Sequence, residues 1–534
     1  MSKTNAANSK IQNFADMIRQ HLNSLSNEDL SCPLGEISQQ YHIDEHEWKL
    51  THPQAISCGS DRYYVKLANR LIDRLATLMI PNPPADLIKV TALSVAAYLE
   101  DLVNDFGVWN AFRNLYRSIY GSMLPFYNCD HEEYLTDNVN LEDLKFIVWQ
   151  SFVRCGQPDD LIFSPYSDGI SKMADILYDE IVDEYESAPE SMRIADYISS
   201  AILSDDYLKV RQLAYWLSVS NPLIAAPWMS EYIEKQSLEL IEEIPNIQYS
   251  TGHYQIMCAY SWPKAVGPLG IPVVDYLAQM CRDRGHIKQA EIISNIQINS
   301  FRFYKITSRS EKYLVLTDYT GTEYKVRRDS FANNSATANT KVCAAELIRF
   351  NGEWNLNGMM TSISEHDDDI LASQPQNCTD MPDAAKEFIR NKIDANGGQR
   401  VFLFQSIAKL NEFMQESGSL LQSAVTDDES KLHDIALLLS LEQTPLIING
   451  GAAYFKIKGN RKFSKVKSRE SGLELIADGL PDDVAQYIQK NHLTPEVQIF
   501  AAQGPEVGRS IVQDNFRFLA GFYRSKVLVC SNDD

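Results

Sequence analysis

The chain has 534 residues, 44% of them hydrophobic and 22% charged, with 71 acidic against 49 basic side chains and a formal net charge of −22 at pH 7. That apolar and charged content is ordinary for a soluble globular protein, and the length exceeds what one hydrophobic core serves, so about two to four domains are expected. The acidic balance disfavours non-specific attachment to nucleic acid or anionic membrane, while leaving room for local basic patches.

The opening residues, MSKTNAANSKIQNF, carry no apolar run of the length a secretory signal needs. Residues 42–46 read HIDEH, the H-x-x-E-H pattern of inverted zinc proteases, in which two histidines hold a metal and a glutamate acts as general base. Such a site needs His42 and His46 on one helical face, a third ligand (Glu132 or Glu133 in CDHEEY are candidates) and an open position for water. The surrounding QYHIDEHEWKLTHP has no long apolar face to fix a metal. A polar turn or short helix is therefore the first expectation, and a metal-dependent hydrolase using His42 and His46 the alternative.

From about residue 8 to 296 the apolar spacing is helical. The stretch 60–79 places Tyr64, Leu67, Leu71 and Leu75 on one face, behind a cap at Ser60 or Asp61. PNPP (81–84) breaks the chain, and the next helix is apolar nearly all round, which predicts the centre of a bundle. Its run Leu87 to Val103 is too short and too charged for a membrane span. Glu100, Asp101 and Asp105 close that helix and are expected to leave the core or to pair with Arg113, Arg117 or another base. Further helices are expected over 140–155, 166–187, 205–219, 228–243 and 272–295.

Near residue 298 the period changes. FRFYKITS, KYLVLTD, EYKVRRD, VCAAELIRF and EWNLNGMM are five short β-rich runs, the last two joined by Asn351-Gly352, a strong hairpin signal. Five strands in so short a stretch predict an SH3-like or OB-like barrel. Its aromatics (Phe301, Phe303, Tyr304, Tyr313, Tyr324) are core candidates first and a binding face second. An acidic linker, 364–380, follows. Beyond it, helices over MPDAAKEFIRNKIDANGG, SIAKLNEFMQESG, LPDDVAQYIQKN and SIVQDNFRFLAGFYR alternate with strands over RVFLFQS, TPLIINGGAAYFKIKGNRKFSKVK, VQIFAAQ and KVLVCS.

Within that region lies the sharpest local anomaly. Lys456, Lys458, Arg461, Lys462, Lys465, Lys467 and Arg469 form an acid-free basic run interleaved with Tyr454, Phe455 and Phe463, read as a hairpin turning at Gly-Asn. Three roles stay open: gripping phosphates and stacking bases, protecting a sheet edge with lysines, or docking on an acidic surface of this chain or a partner. The glycine loops IINGGAAY and ANGGQR lack a following Lys-Ser/Thr, and no G-x-S-x-G or G-x-G-x-x-G occurs. Nine scattered cysteines without a C-x-x-C fit a reducing compartment.

YYVKLANRL (63–71), ALSVAAYLEDLVNDFGVWNAF (92–112), IYGSMLPFY (119–127) and LKFIVWQSF (144–152) resemble an uncharacterised family of bacterial proteins of unknown function, and NFRFLAGFYR (515–524) looks like its C-terminal signature. The barrel stretch ending FNGEWNLNG (350–358) is similar to modules attached to other uncharacterised bacterial proteins. The resemblance begins near Glu47-Trp48, which would leave HIDEH mostly upstream, and it implies a soluble bacterial protein without supplying an activity, cofactor or catalytic residue.

The expected architecture is α+β and multidomain: a mainly helical domain over 1–297, a small barrel over 298–363, the acidic linker and an α+β domain over 381–534. The expected function is that of a cytoplasmic binding or adaptor protein with no cofactor and no membrane. Its partner would be a protein or a nucleic acid, held by the barrel and the basic run with Phe463.

Overall fold

The computed structural model describes residues 41–78, 85–155, 164–243, 247–331, 340–363, 383–416, 433–477 and 479–530. The opening residues and the acidic linker lie outside them.

Twelve α-helices of the described residues precede the barrel: α1 (Glu45–Leu50), α2 (Asp61–Leu78), α3 (Ala85–Asn104), α4 (Val108–Tyr120), α5 (Leu141–Cys155), α6 (Asp168–Ile181), α7 (Met192–Ile202), α8 (Tyr207–Tyr215), α9 (Met229–Glu243), α10 (Tyr249–Ala259), α11 (Val273–Asp283) and α12 (Ile287–Ser294). Helix α2 buries Tyr64, Leu67, Leu71 and Leu75, the predicted face. Helix α3 buries Ala92, Val95, Ala96, Tyr98 and Leu99 completely, as its all-round apolar sequence requires. Two expectations change in detail. The stretch 272–295 is two helices, because Gly285 turns left-handed (φ 77) and lets the His286 N–H reach Cys281 O, which closes α11 with a Schellman-type cap. The stretch 205–219 leaves α-geometry at Trp216 for a π turn, Trp216–Ser220. The short helix expected at HIDEH is α1, whereas helices α4, α7 and α10 were not foreseen.

The barrel has five strands: β1 (Gln297–Arg309), β2 (Tyr313–Thr317), β3 (Glu323–Arg327), β4 (Val342–Phe350) and β5 (Glu353–Ile363). It closes in the order β1-β2-β3-β5-β4. Every pairing is antiparallel except β3 with β5, which meet in parallel at Val326 and Trp354. This crossover is a Greek-key closure, the OB-like of the two expected barrels. Asn351 and Gly352 both take positive φ between β4 and β5, as a tight hairpin demands. Tyr304, Leu314, Leu316, Val326, Leu347 and Leu356 fill the interior.

The C-terminal region contains α13 (Asp383–Ala395), β6 (Val401–Ser406), α14 (Ile407–Gln415), β7 (His433–Leu438), β8 (Leu446–Ile448), α15 (Lys465–Ser471), α16 (Glu474–Ala477), α17 (Asp482–Lys490), α18 (Pro505–Asp514) and α19 (Phe516–Cys530). Strands β6, β7 and β8 form an antiparallel sheet. Strand β7 is buried on both faces: Ile435 and Leu437 face α13 and α14, while Ala436 and Leu438 join the main core. Three expected strands are corrected. After β8 the chain forms a short 3-10 turn (Gly451–Ala453), a loop and α15, not a hairpin. VQIFAAQ forms no regular strand; its Ile499 instead sits against Gly508, where a Cβ would come within 2.0 Å of Ile499 O. KVLVC continues α19, because a short apolar run suits helix or strand and the preceding helix carries through it.

Helix α19 completes the helical core. Phe518 packs against Tyr116, Tyr120, Phe126, Phe146 and Trp149. Gly270 and Gly521 bring two backbones together: a Cβ on Gly270 would lie 1.8 Å from Gly521 O. Arg524 donates to Gly270 O at 3.0 Å and to Leu480 O. One hydrophobic core therefore runs from Ile43 to Tyr523. Among the described residues no helix is long and apolar enough to cross a membrane.

Candidate functional site

HIDEH starts a helix instead of riding on one. Asp44 is the N-cap of α1: its Oδ1 accepts from the backbone N–H of His46 (2.8 Å) and Glu47 (2.9 Å), and Glu47 Oε2 accepts from Asp44 N–H. This is a capping box, and the backbone N–H of Glu47 leads in holding the Asp44 carboxyl below its ordinary range. His42 precedes the helix and meets Asp73 Oδ1 of α2 at 2.8 Å, while His46 lies within the helix and is exposed. The two histidines therefore do not share a helical face, which corrects the spacing argument. Among the described residues no group of three His, Cys, Asp or Glu side chains is placed to hold a metal.

Just downstream the chain makes a strained turn. Gln54 (φ 54) and Ala55 (φ 50) occupy the left-handed region without being glycines, a conformation that persists only where surrounding structure enforces it. What enforces it is a buried polar knot around His52, which is 3% exposed. His52 Nε2 lies 2.9 Å from Glu100 Oε2 and Nδ1 lies 3.2 Å from Ile56 O. Burial opposes the imidazolium, but the Glu100 carboxylate outweighs it and the His52 pKa is raised. Ser191 donates to Glu100 Oε1 at 2.6 Å, which makes Ser60 the donor in its 2.7 Å bond to Ser191 Oγ. Glu100 is thus paired with a histidine, whereas Arg113 binds Asp143 (3.3 Å, both fully buried). Asp101 accepts from the N–H groups of Val108 and Trp109, capping α4, and burial pushes its carboxyl up to about 6.

The knot forms one wall of a cleft of about 400 Å³. Gln54 and Ala55 border it on one side, and the π turn and α10 on the others. Trp216 Nε1 donates to Thr51 O at 2.7 Å, tying the π turn to the strained turn. On α10, His253 Nδ1 meets Ser237 Oγ at 3.1 Å. The Ser237 hydroxyl proton is already directed at Ile233 O (2.6 Å), so Ser237 accepts from Nδ1–H and a neutral His253 keeps Nε2 as an acceptor.

Arg211, 3% exposed, lines the same cleft. Its hydrogen bonds go to neutral groups, Tyr254 OH (3.2 Å) and Asn357 Oδ1 (3.4 Å), and its guanidinium lies over the Tyr207 and Tyr254 rings. Nε has no partner. Asn357 belongs to β5, so the cleft wall is also the joint to the barrel. Asn357 Nδ2 donates to Cys258 O (3.1 Å) and to Glu346, and Met359 N–H donates to Gln255 Oε1 (2.7 Å). Burial pushes the Glu346 carboxyl up to about 7, while the Asn357 bond pulls it down. Sequence reasoning missed this joint. The signal was Asn355 and Asn357 in EWNLNGMM, two asparagines in a barrel strand that are 6% and 1% exposed, because buried amides mark a contact with hydrogen-bonding partners.

The basic run sits elsewhere, on the C-terminal region. Asn460 Nδ2 donates to Ala452 O and Phe455 O and shapes the loop, and Ser464 caps α15 by accepting from Lys467 N–H. Buried Ser468 donates to Tyr454 O and accepts from Glu496 N–H. All seven cations are exposed, Phe463 is half-buried, and Tyr454 and Phe455 are buried. Lys462 meets Asp434 at 3.4 Å and Lys465 meets Glu496 at 3.9 Å.

Residues 42–279 match the model of a family described as a protein of unknown function (DUF3843). The match starts at His42 and takes in all of HIDEH, which corrects the expected start near Glu47. The barrel and NFRFLAGFYR lie outside it. No curated protein and no solved structure matches the chain.

Proposed function

We propose, from a family that brings no activity to transfer, that this chain is a binding or adaptor protein of the bacterial cytoplasm that engages an acidic protein surface through residues 456–469. The observation that carries this reading is the state of the seven cations. Lys456, Lys458, Arg461, Lys467 and Arg469 are exposed and form no ion pair among the described residues, while Lys462 and Lys465 already rest on carboxylates. The segment's own chain thus samples the complement it fits. Clustered free cations in a chain of net −22 steer an acidic partner to one place. With Tyr454 and Phe455 buried and Phe463 half-buried, the run keeps little aromatic surface for stacking bases, which favours carboxylates over single-stranded nucleic acid. Cys58, Cys129, Cys155, Cys258, Cys281 and Cys343 are free, in keeping with a reducing compartment. No observation favours the metal-dependent hydrolase.

Binding of a polyglutamate peptide and of a length-matched oligothymidylate tests the reading. Replacing Lys456, Lys458 and Lys467 by Glu is expected to weaken polyglutamate binding at low salt by at least about tenfold, at ~0.5–1 kcal/mol per exposed pair. Added salt should weaken the unaltered protein's binding too. Affinity indifferent to the three reversals, or oligothymidylate bound equally well, would reject an acidic protein partner.

A further inference from the structure

The cleft beside His52 contains a buried cation without a counter-ion. Arginine is seldom buried unless paired. Arg211 makes only long hydrogen bonds to a phenol and an amide, and it has no carboxylate at ion-pair distance among the described residues. The carboxyl of Glu346 in the barrel bonds Asn357 and makes no ion pair with Arg211, and burial raises it to about 7, so near neutral pH it is only partly ionised.

The rest of the lining is fit to hold a ligand that does. Trp216, Val219, Ile233 and Met257 give apolar walls. Gln212 takes the Tyr197 hydroxyl on Oε1, which leaves its amide N–H groups unspent, and the hydroxyls of Tyr215 and Ser220 have no partner among the described residues. The carboxylate in the lining, Glu234, is exposed to solvent, so the buried part of the walls offers mainly donors, and His253 Nε2 adds one acceptor. The volume of about 400 Å³ suits a small molecule. Two independent irregularities border the cleft, the left-handed Gln54-Ala55 pair and the π turn, and both kinds concentrate at functional sites.

We propose that this cleft binds a small organic anion, a carboxylate or phosphate monoester on an apolar body, with its anionic group paired to Arg211. The site lies wholly within the family-matched segment and is separate from the basic run, so the two readings stand or fall independently. Because Arg211 also bonds Asn357, an anion that draws the guanidinium toward the cleft loosens one of the ties to the barrel.

Four probes sharing one body separate the possibilities: phenylacetate, phenyl phosphate, phenylacetamide and phenethylamine. Ligand-observed saturation-transfer NMR and thermal shift are read on the full chain. The expected result is saturable binding of at least one anion, with the amide and amine at least ~10-fold weaker, as expected for charge-assisted recognition. Which anion binds better separates a carboxylate from a phosphate ligand. Arg211→Gln is expected to abolish the head-group preference. Since that change also touches the barrel joint, Ser220→Trp, which fills the mouth from a half-exposed position, is expected to remove binding while leaving the melting temperature without probe unchanged. Absence of saturable binding by both anions, equal binding of amide and amine, or full binding by Ser220→Trp overturns the proposal.

Discussion

Replacing Glu346 by Gln tests the physical account of the barrel joint. In the folded chain Glu346 keeps its proton to about pH 7, against an ordinary 4.5. Between those values the native state binds more protons than the unfolded chain, so this group's contribution to stability is present below about pH 4.5 and is lost as pH rises through about 7. At ~1.4 kcal/mol per pH decade, ionised Glu346 costs about 3 kcal/mol above neutrality, and solvent at the edge of the joint trims that to about 2–3 kcal/mol. Gln can still accept the Asn357 bond through Oε1 but carries no charge. Glu346→Gln should therefore stabilise the protein by about 2–3 kcal/mol at pH 8 and by under about 0.5 kcal/mol at pH 4.5. Urea unfolding followed by tryptophan fluorescence, with Trp354 in the barrel as reporter, reads both values. An equal effect at the two pH values, or none at pH 8, would show that the carboxyl is not desolvated in the joint.

Three further outcomes follow from the same structure. Gly270→Ala should cost about 3 kcal/mol or more in thermal unfolding, since its Cβ would sit 1.8 Å from Gly521 O at a φ of +58; a loss under about 1 kcal/mol would mean that α19 is not held as described. Glu100→Gln should cost about 3–5 kcal/mol by leaving a buried imidazolium without its partner, and the loss should be largest at low pH, because the His52 pKa is raised and the pair's contribution fades as pH rises through it; a pH-independent loss would contradict the ion pair. Asp44→Ala should lower the melting temperature through the lost cap, and zinc analysis of the purified protein should find under about a tenth of an equivalent, unchanged in His42→Ala; stoichiometric zinc lost with His42 would restore the metal reading.

The parts of the fold legible in the sequence were those governed by local periodicity. Five strands and an Asn-Gly turn specified the barrel because each strand alternates between its interior and its outer face, and α3 announced its position by being apolar all round. The failures share one cause. Helix α4 shows a helical period at Val108, Trp109, Phe112, Leu115 and Tyr116, but local spacing does not show that Arg113 is fully buried there, which the distant Asp143, Tyr134 and Thr136 make tolerable. Strand β7 looks like any short apolar run because both its faces are covered. KVLVC became helix because of what precedes it. The basic run was conspicuous as charge, yet its conformation is set by Asn460 and Ser468, two polar side chains whose backbone acceptors lie up to 14 residues away.

The same limit explains why HIDEH misled and the cleft stayed invisible. A motif scan weighs residue types at fixed spacing, and Asp44-Glu45-His46-Glu47 satisfies the capping-box spacing as well as His42–His46 satisfies the metal spacing; the decision belongs to Asn69, which binds the backbone of Ile43 on both sides and fixes where the helix begins. The cleft has no motif at all. It is assembled from a turn at 52–55, a π turn at 216–220, three residues of α9 and three of α10, with Arg211 joining them to Asn357, 146 positions away. What marks it is a physical imbalance, a buried guanidinium hydrogen-bonded to neutral groups beside two departures from regular backbone, and imbalance of that kind exists only once the chain has folded. Arg211 stands without a carboxylate partner among the described residues, a placement that a ligand's charge would account for.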